Sequence, residues 1–294
     1  MSPSSRYRPD AQPDYGHRFH AGNVGDVWKH CVLAEVLRLA AAGASRVCYL
    51  ETHAGEGGYP LGPTGEWTEG IGRLWTEPDG DDAVARYEIL ARRLATGASR
   101  PERYPGSPAF ARAVLGPDAD LVLWERDDAA FEHLSAHVAG DPHAQALRGD
   151  GLTALAADVA AAEARADAVV ALVDPPYTQK ADWTTVFDAV AHAAGTSTRA
   201  SLLLWYPVKS HTRPNAMLAR VRTTGVGGTV AELVTTPLVH KRNRLNGSGM
   251  LLVRPPDRAV AAVAAAAPGV GRRCATHDGA WTFRMESWSG RAAP

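Results

Sequence analysis

The apolar positions divide the chain into short uninterrupted runs and longer stretches with helical spacing. Residues 46–51 (Arg-Val-Cys-Tyr-Leu-Glu), 121–124 (Leu-Val-Leu-Trp), 170–173 (Val-Ala-Leu-Val) and 201–206 (Ser-Leu-Leu-Leu-Trp-Tyr) are too short for helices and predict buried strands. A weaker run at Ala146-Leu147-Arg148 predicts another, and Thr229 to Val239 with Gly249 to Val253 predicts a final strand pair. Between them, Val32, Leu33, Val36, Leu37 and Ala40 share one face of a helix expected from Val27 to Ala42, capped by Asp26 and ended by Gly43. Further helices are expected at 109–115, 183–194 and 217–223, and Pro207 should close the strand before it. This alternation predicts an α/β fold with a mainly parallel sheet.

One stretch interrupts the alternation. From about residue 59 to 104, Trp67, Ile71, Leu74 and Trp75, then Tyr87, Leu90, Ala91 and Leu94, fall at helical spacings, which predicts a helical insertion within a single domain spanning 15–294. Residues 1–14, rich in Ser, Pro and Arg, read as a disordered leader, and the Ala-rich tail from Ala264 carries little pattern.

The run at 170–173 stops at Asp174-Pro175-Pro176-Tyr177. Two prolines cannot continue a ladder, so the strand should end in a rigid turn at its carboxyl end, where open α/β sheets bind ligands. These groups suit methylation of an amino group on a nucleobase. Its lone pair is delocalised into the ring, so its N–H groups need acceptors before it can attack an activated methyl. The Asp174 carboxylate and the Pro175 carbonyl would supply them, and Tyr177 offers a flat face to a base taken out of its stack. Neither a metal nor a covalent nucleophile is required.

An Asp-Pro-Pro turn can equally do no more than end a strand, so the other strand ends matter. After the first strand, Thr52-His53-Ala54-Gly55-Glu56-Gly57-Gly58 would let a cofactor approach the backbone closely. Glu125 ends the second strand, where an acid can accept both ribose hydroxyls of a nucleoside. Gly149-Asp150-Gly151 places another acid, suited to an adenine amino group, after the third. Glycines, Glu125, Asp150 and Asp174 occur in the order required by the Rossmann-like sheet of a class I methyltransferase that uses S-adenosyl-L-methionine. Lys29 and His30 fall in a first helical turn, where a lysine opposes the helix dipole and hints at a function; a plain surface lysine is the competing reading. Ser107, in Tyr104-Pro-Gly-Ser-Pro108, could aim its hydroxyl at a ligand or simply cap a helix.

Composition changes this picture little. The 294 residues are 45% hydrophobic, enough for a full core, and the net charge of −1 excludes indiscriminate coating of nucleic acid. The charge is unevenly spread: residues 66–82 hold six acids and one base, residues 199–254 nine bases and one acid. Within the basic half, Lys241, Arg242 and Arg244 in the loop 240–248 suit phosphate contacts, although an ordinary exposed loop would look the same. Cys31, Cys48 and Cys274 have neither paired nor metal-like spacing. With no long apolar run and no signal-peptide core, a reducing cytoplasm without a zinc site is expected.

Several stretches together resemble one family. Tyr15-Gly-His17-Arg-Phe-His-Ala-Gly-Asn23, Asp26 with Lys29-His30, Thr52 to Tyr59, Glu69-Gly-Ile71, Tyr104 to Pro108, Asp174 to Tyr177, Trp205-Tyr-Pro207 and Ser248-Gly-Met250 resemble the bacterial RlmJ family, the 23S ribosomal RNA adenine-N(6) methyltransferases. The resemblance runs from Tyr15 to about Pro256. It implies S-adenosyl-L-methionine held by His30, His53, Ser107, Glu125, Asp150, Gly151 and Asp174, with Asp174, Pro175 and Tyr177 at the catalytic centre. It also implies Tyr15, with His17 and Lys29, on the substrate side, and 23S ribosomal RNA as the partner of a chain expected to act as a monomer. Methylation of adenine in DNA, methylation of a small amine, and a non-enzymatic RNA-binding module are the alternatives; an intact Asp-Pro-Pro-Tyr argues against the last.

Overall fold

The computed structural model describes residues 17–75, 82–240 and 245–290. Helices α1 (His17–His20) and α2 (Val24–Ala42) lead into β1 (Val47–Glu51). A ribbon of β2 (Gly58–Pro60) and β3 (Arg103–Pro105) then encloses two 3-10 turns (Glu66–Glu69 and Ile71–Leu74) and α3 (Ala83–Leu94). The alternation continues through α4 (Ser107–Leu115), β4 (Asp120–Glu125), α5 (Asp128–His137), β5 (Ala144–Arg148), α6 (Gly151–Glu163), β6 (Ala168–Val173), α7 (Asp182–Thr196) and β7 (Ser201–Val208). It closes with α8 (Thr212–Thr223), β8 (Gly228–Val234), β9 (Gly247–Val253), α9 (Ala259–Cys274) and β10 (Thr282–Trp288).

Eight of these strands form one sheet in the order β5-β4-β1-β6-β7-β9-β8-β10. The first five are parallel and the last three antiparallel, so the expected Rossmann-like α/β arrangement is present. Because β1 lies between β4 and β6, the chain leaves it first to one side and then to the other. The crevice at the carboxyl ends of β1 and β6 is therefore the topological switch point, the usual ligand position in such sheets.

The sheet is covered on both faces. Tyr49, Val170, Leu172 and Leu203 join the core formed with α2, α3, α4 and α9, while Cys48, Leu50, Val169, Ala171 and Val173 join the one formed with α6, α7 and α8. Burial on both faces explains why these strands show no apolar–polar alternation. Each fully buried aliphatic side chain contributes roughly 1.5–3 kcal/mol. Helix α2 is anchored further by Trp28, wholly buried, whose indole donates to the Ala231 carbonyl at 3.1 Å.

Four local expectations need correction. Helix α2 starts at Val24, capped by Asn23, whose side chain accepts from the Asp26 amide at 3.0 Å; Asp26 lies inside the first turn. Strand β7 runs through Pro207 to Val208. Its pairing with β6 ends at Leu204, so beyond that point one side of β7 is an edge, where proline is tolerated. Strand β8 stops at Val234, short of Val239. The tail holds α9, whose Ala259, Val263, Ala266 and Ala267 are buried in the α2 core, and β10, paired with β8. Among the described residues no helix is long and apolar enough to cross a membrane.

Candidate active site

The chemistry-bearing groups converge on the switch point from α2, from the loop after β1 and from the ends of β4, β5 and β6. Asp174 directly follows β6, and its Oδ2 lies 2.5 Å from Lys29 Nζ. The same ammonium lies 2.8 Å from Asp26 Oδ1, while Asp26 Oδ2 accepts from the Gly22 amide at 2.9 Å. Moving Asp26 from cap to first turn thus frees its carboxylate for Lys29. Burial alone would lower the Lys29 pKa; Asp174 and then Asp26 outweigh it and hold the ammonium well above the ordinary lysine range. Burial pushes Asp26 the other way, but Lys29, with the Gly22 amide, keeps it below the usual carboxylate value. Two carboxylates around one ammonium leave this cluster with a net negative charge.

Next to Asp174, Tyr177 adopts a left-handed backbone (φ +49°), which a non-glycine residue holds only when its surroundings over-determine it. Here they do. Its hydroxyl donates to the Trp205 carbonyl at 2.9 Å, and its ring lies 4.5 Å from that of Trp183 and 6.2 Å from that of Trp205. Trp205 in turn places its ring 5.8 Å from Lys29 Nζ, a cation–π distance that ties the lysine to the aromatic wall.

On the other side of the crevice, the loop after β1 is folded tightly. Gly55 has φ +61° and a Cβ there would collide with the Tyr59 hydroxyl, so only glycine fits. Its amide donates to Glu125 Oε2 at 2.8 Å, and Glu125 Oε1 accepts from the Arg126 and Asp127 amides at 2.7 and 2.8 Å. Asp150 caps α6, its Oδ1 accepting from Leu152 at 3.0 Å and Thr153 at 3.4 Å. Gly151 brings that helix against the loop: a Cβ there would stand 2.6 Å from the Thr52 backbone. His53 Nδ1 lies 2.8 Å from the Thr52 hydroxyl. Burial holds His53 below the ordinary histidine value, although Asp174, Glu125 and Asp150 pull the other way.

His30 is wholly buried, with Nδ1 2.8 Å from the Tyr104 hydroxyl and the Phe110 ring 4.7 Å away. Burial, with Lys29 beside it, keeps the ring neutral. Its Nε2 is buried with no partner among the described residues. Such a group costs free energy unless something satisfies it, so the site suits a ligand that carries a polar group.

Sequence reasoning missed Glu51 and Tyr49. Glu51, the last residue of β1, accepts from the Ser107 hydroxyl at Oε1 and from the Tyr49 hydroxyl at 2.8 Å at Oε2. Ser107 is therefore no cap; Gly106 precedes α4 and makes no side-chain cap bond. Burial pushes the Glu51 carboxyl up to about 8, against the two donated hydrogen bonds and with Asp174 acting in the same direction as burial. An acid ending a buried strand immediately before a glycine loop was the available signal. Lys29, His30, His53, Ser107, Glu125, Asp150, Gly151, Asp174, Pro175 and Tyr177 all lie at this edge of the sheet or on the helices that flank it. Tyr15, Lys241, Arg242 and Arg244 lie outside the described residues, as does the side chain of His17.

A family model described as Ribosomal RNA large subunit methyltransferase D, RlmJ, matches residues 45–288. The proteins named Ribosomal RNA large subunit methyltransferase J of Escherichia coli K12 and Haemophilus influenzae Rd are each 31% identical to this chain over 248 residues. Those alignments cover 82% of this chain and 87% of each relative. Protein LPL1258 of Legionella pneumophila shares the fold with a TM-score of 0.82 at 25% identity, covering 91% of this chain and 98% of its own. On a Rossmann-like class I methyltransferase fold and over most of its length, the chain belongs to the RlmJ family of ribosomal RNA large subunit methyltransferases.

Proposed function

We propose that this protein transfers a methyl group from S-adenosyl-L-methionine to the exocyclic N6 of an adenine in 23S ribosomal RNA. The observation that carries the reading is the Asp174–Lys29 pair beside the anchored Tyr177 at the end of β6. His30, His53, Ser107, Glu125, Asp150, Gly151 and Asp174 would hold the cofactor. The unpartnered His30 Nε2, the glycine-lined loop and the acids at the strand ends support that fit. When bound, the cofactor supplies a methyl group on a sulfonium.

The protein's part is orientation and charge. Lys29 engages Asp174 Oδ2, which leaves Oδ1 to accept one N–H of the target amine, with the Pro175 carbonyl accepting the other. The ring of Tyr177, fixed by its hydroxyl, offers a face against which the extruded base can stack. As the amine attacks, positive charge grows on its nitrogen, and the net negative charge of the Asp26–Lys29–Asp174 cluster is arranged to stabilise it. Tyr15, His17 and Lys29 would meet the target nucleotide, with Lys241, Arg242 and Arg244 on flanking phosphates. Leu245, the first described residue after those three, packs over Gly25 one helical turn before Lys29, which supports this reading.

The test is methyl transfer from labelled cofactor to a 23S ribosomal RNA fragment, to DNA of the same sequence and to small amines. Transfer to the RNA alone is expected. Transfer to DNA or an amine with none to RNA would overturn the substrate assignment.

A further inference from the structure

Two histidines that the reaction does not use stand on the same edge of the sheet. Strand β8 runs parallel to β6 and ends at Val234, and antiparallel β10 begins opposite it at Thr282. The turn after β8 and the loop before β10 therefore both lie at the edge that carries Asp174. There the imidazoles of His240 and His277 stack, with centroids 4.2 Å apart and planes 17° from parallel. The pair faces solvent: His240 is exposed, His277 half-buried, and the neighbouring Val239 is 84% exposed.

The footing of the stack is built. The Thr276 amide donates to the Thr235 carbonyl at 3.0 Å, and the Thr236 and Thr276 hydroxyls lie 2.8 Å apart. Buried Asn246 donates to the carbonyls of Thr236 and Pro237 at 3.3 and 3.4 Å, and the His240 amide donates to Pro237 at 2.9 Å. Arg73 fastens the other loop through the Ala275 carbonyl. Two loops separated in sequence by β9 and α9 are thus pinned so that two flat rings stack at the surface. From β6 to β8 is three strand spacings, about 14 Å, within reach of a short RNA segment whose target base enters at Asp174.

Proteins that read unpaired RNA stack its bases on aromatic and histidine rings, and a stacked pair leaves outer faces to which one more ring can add. We infer that the His240–His277 stack is a docking platform for an unpaired nucleobase flanking the target nucleotide in the RNA. This rests on the RNA-methylating function proposed above.

The experiment is steady-state methylation of a 23S ribosomal RNA fragment by the parent protein, His240→Ala, His277→Ala and His277→Phe, with cofactor affinity measured alongside. Each Ala variant should raise the KM for RNA about tenfold, the scale of one base stacked on a ring, with kcat and cofactor affinity unchanged. His277→Phe keeps a flat ring without ring nitrogens and should retain the parent KM. An unchanged KM in both Ala variants overturns the platform while leaving the methylating function standing. A His277→Phe defect as large as that of His277→Ala also overturns it by assigning the pair's role to its ring nitrogens. A parent that methylates no RNA fails the function itself, a separate outcome.

Discussion

Lys29 Nζ sits between Asp174 Oδ2 at 2.5 Å and Asp26 Oδ1 at 2.8 Å, so one ammonium on α2 joins the first turn of its own helix to the end of β6. Removing Asp174 should cost chemistry far more than binding: Asp174→Ala loses turnover by on the order of a hundredfold or more, with a much smaller loss of cofactor affinity. Lys29→Met leaves the half-buried Asp26 without its cation and should destabilise the fold by about 1–3 kcal/mol. Lys29→Met/Asp26→Asn should regain stability without regaining activity. Because Lys29 is held above the ordinary lysine value, this pairing is fully present below that value and is lost only in strongly alkaline solution. Urea unfolding and methyl-transfer rates separate these effects.

Glu51 makes stability depend on pH in the opposite sense to most carboxylates. Its folded value of about 8 lies above the ordinary 4.5 because the group is buried. Between those values the folded state holds a proton that the unfolded chain releases. Stability should therefore fall as pH rises through that window, by up to about 1.4 kcal/mol per pH unit. Glu51→Gln keeps a hydrogen-bonding group opposite Ser107 and Tyr49 without the charge and should flatten the slope. Denaturant midpoints from pH 5 to 8 check this, and a parent slope rising with pH would contradict it.

Asp150 does two things that one substitution can separate. Asp150→Ala removes the α6 cap, costing roughly 0.5–2 kcal/mol of stability, and weakens cofactor binding by roughly 1–3 kcal/mol. Asp150→Ser restores a cap but not a carboxylate. Calorimetry should show native-like stability with the binding defect intact; full recovery of binding would make Asp150 a cap and nothing more.

In the parallel half of the fold β1, β4, β6 and β7 follow from sequence because they carry apolar residues buried on both faces, and several strand ends carry acids or glycines, features that leave a local trace. Glu125, Asp150 and Asp174 could be placed at strand ends for that reason. Long-range partners leave no such trace. That Asp26 turns from cap to counter-ion depends on Asn23 taking the cap and on Asp174, far along the chain, arriving beside Lys29. Glu51 was passed over because Ser107 reaches it only when α4 docks on β1, even though its other partner, Tyr49, stands two positions before it on the same strand. Strand β10 was missed because its side chains are mostly half-exposed and its pairing partner is remote.

If Lys241, Arg242 and Arg244 contact phosphates, replacing all three by Ala should weaken RNA binding and reduce the dependence of log affinity on log salt by about 2 units, from about 0.7 per contact. The choice of adenine should not change, since phosphate contacts position the chain and base contacts specify it. Binding to ribosomal RNA fragments across a salt series measures the slope, and an unchanged slope removes this loop from the RNA surface.

Whether Asp174 directs a methyl group onto one adenine of 23S ribosomal RNA is tested most directly by mapping adenine methylation in that RNA from a strain lacking this protein. The expected result is one N6-methyladenine missing in the deletion strain, restored by the parent protein and not by Asp174→Ala. A methylation profile identical with and without the protein, or full restoration by Asp174→Ala, would contradict it.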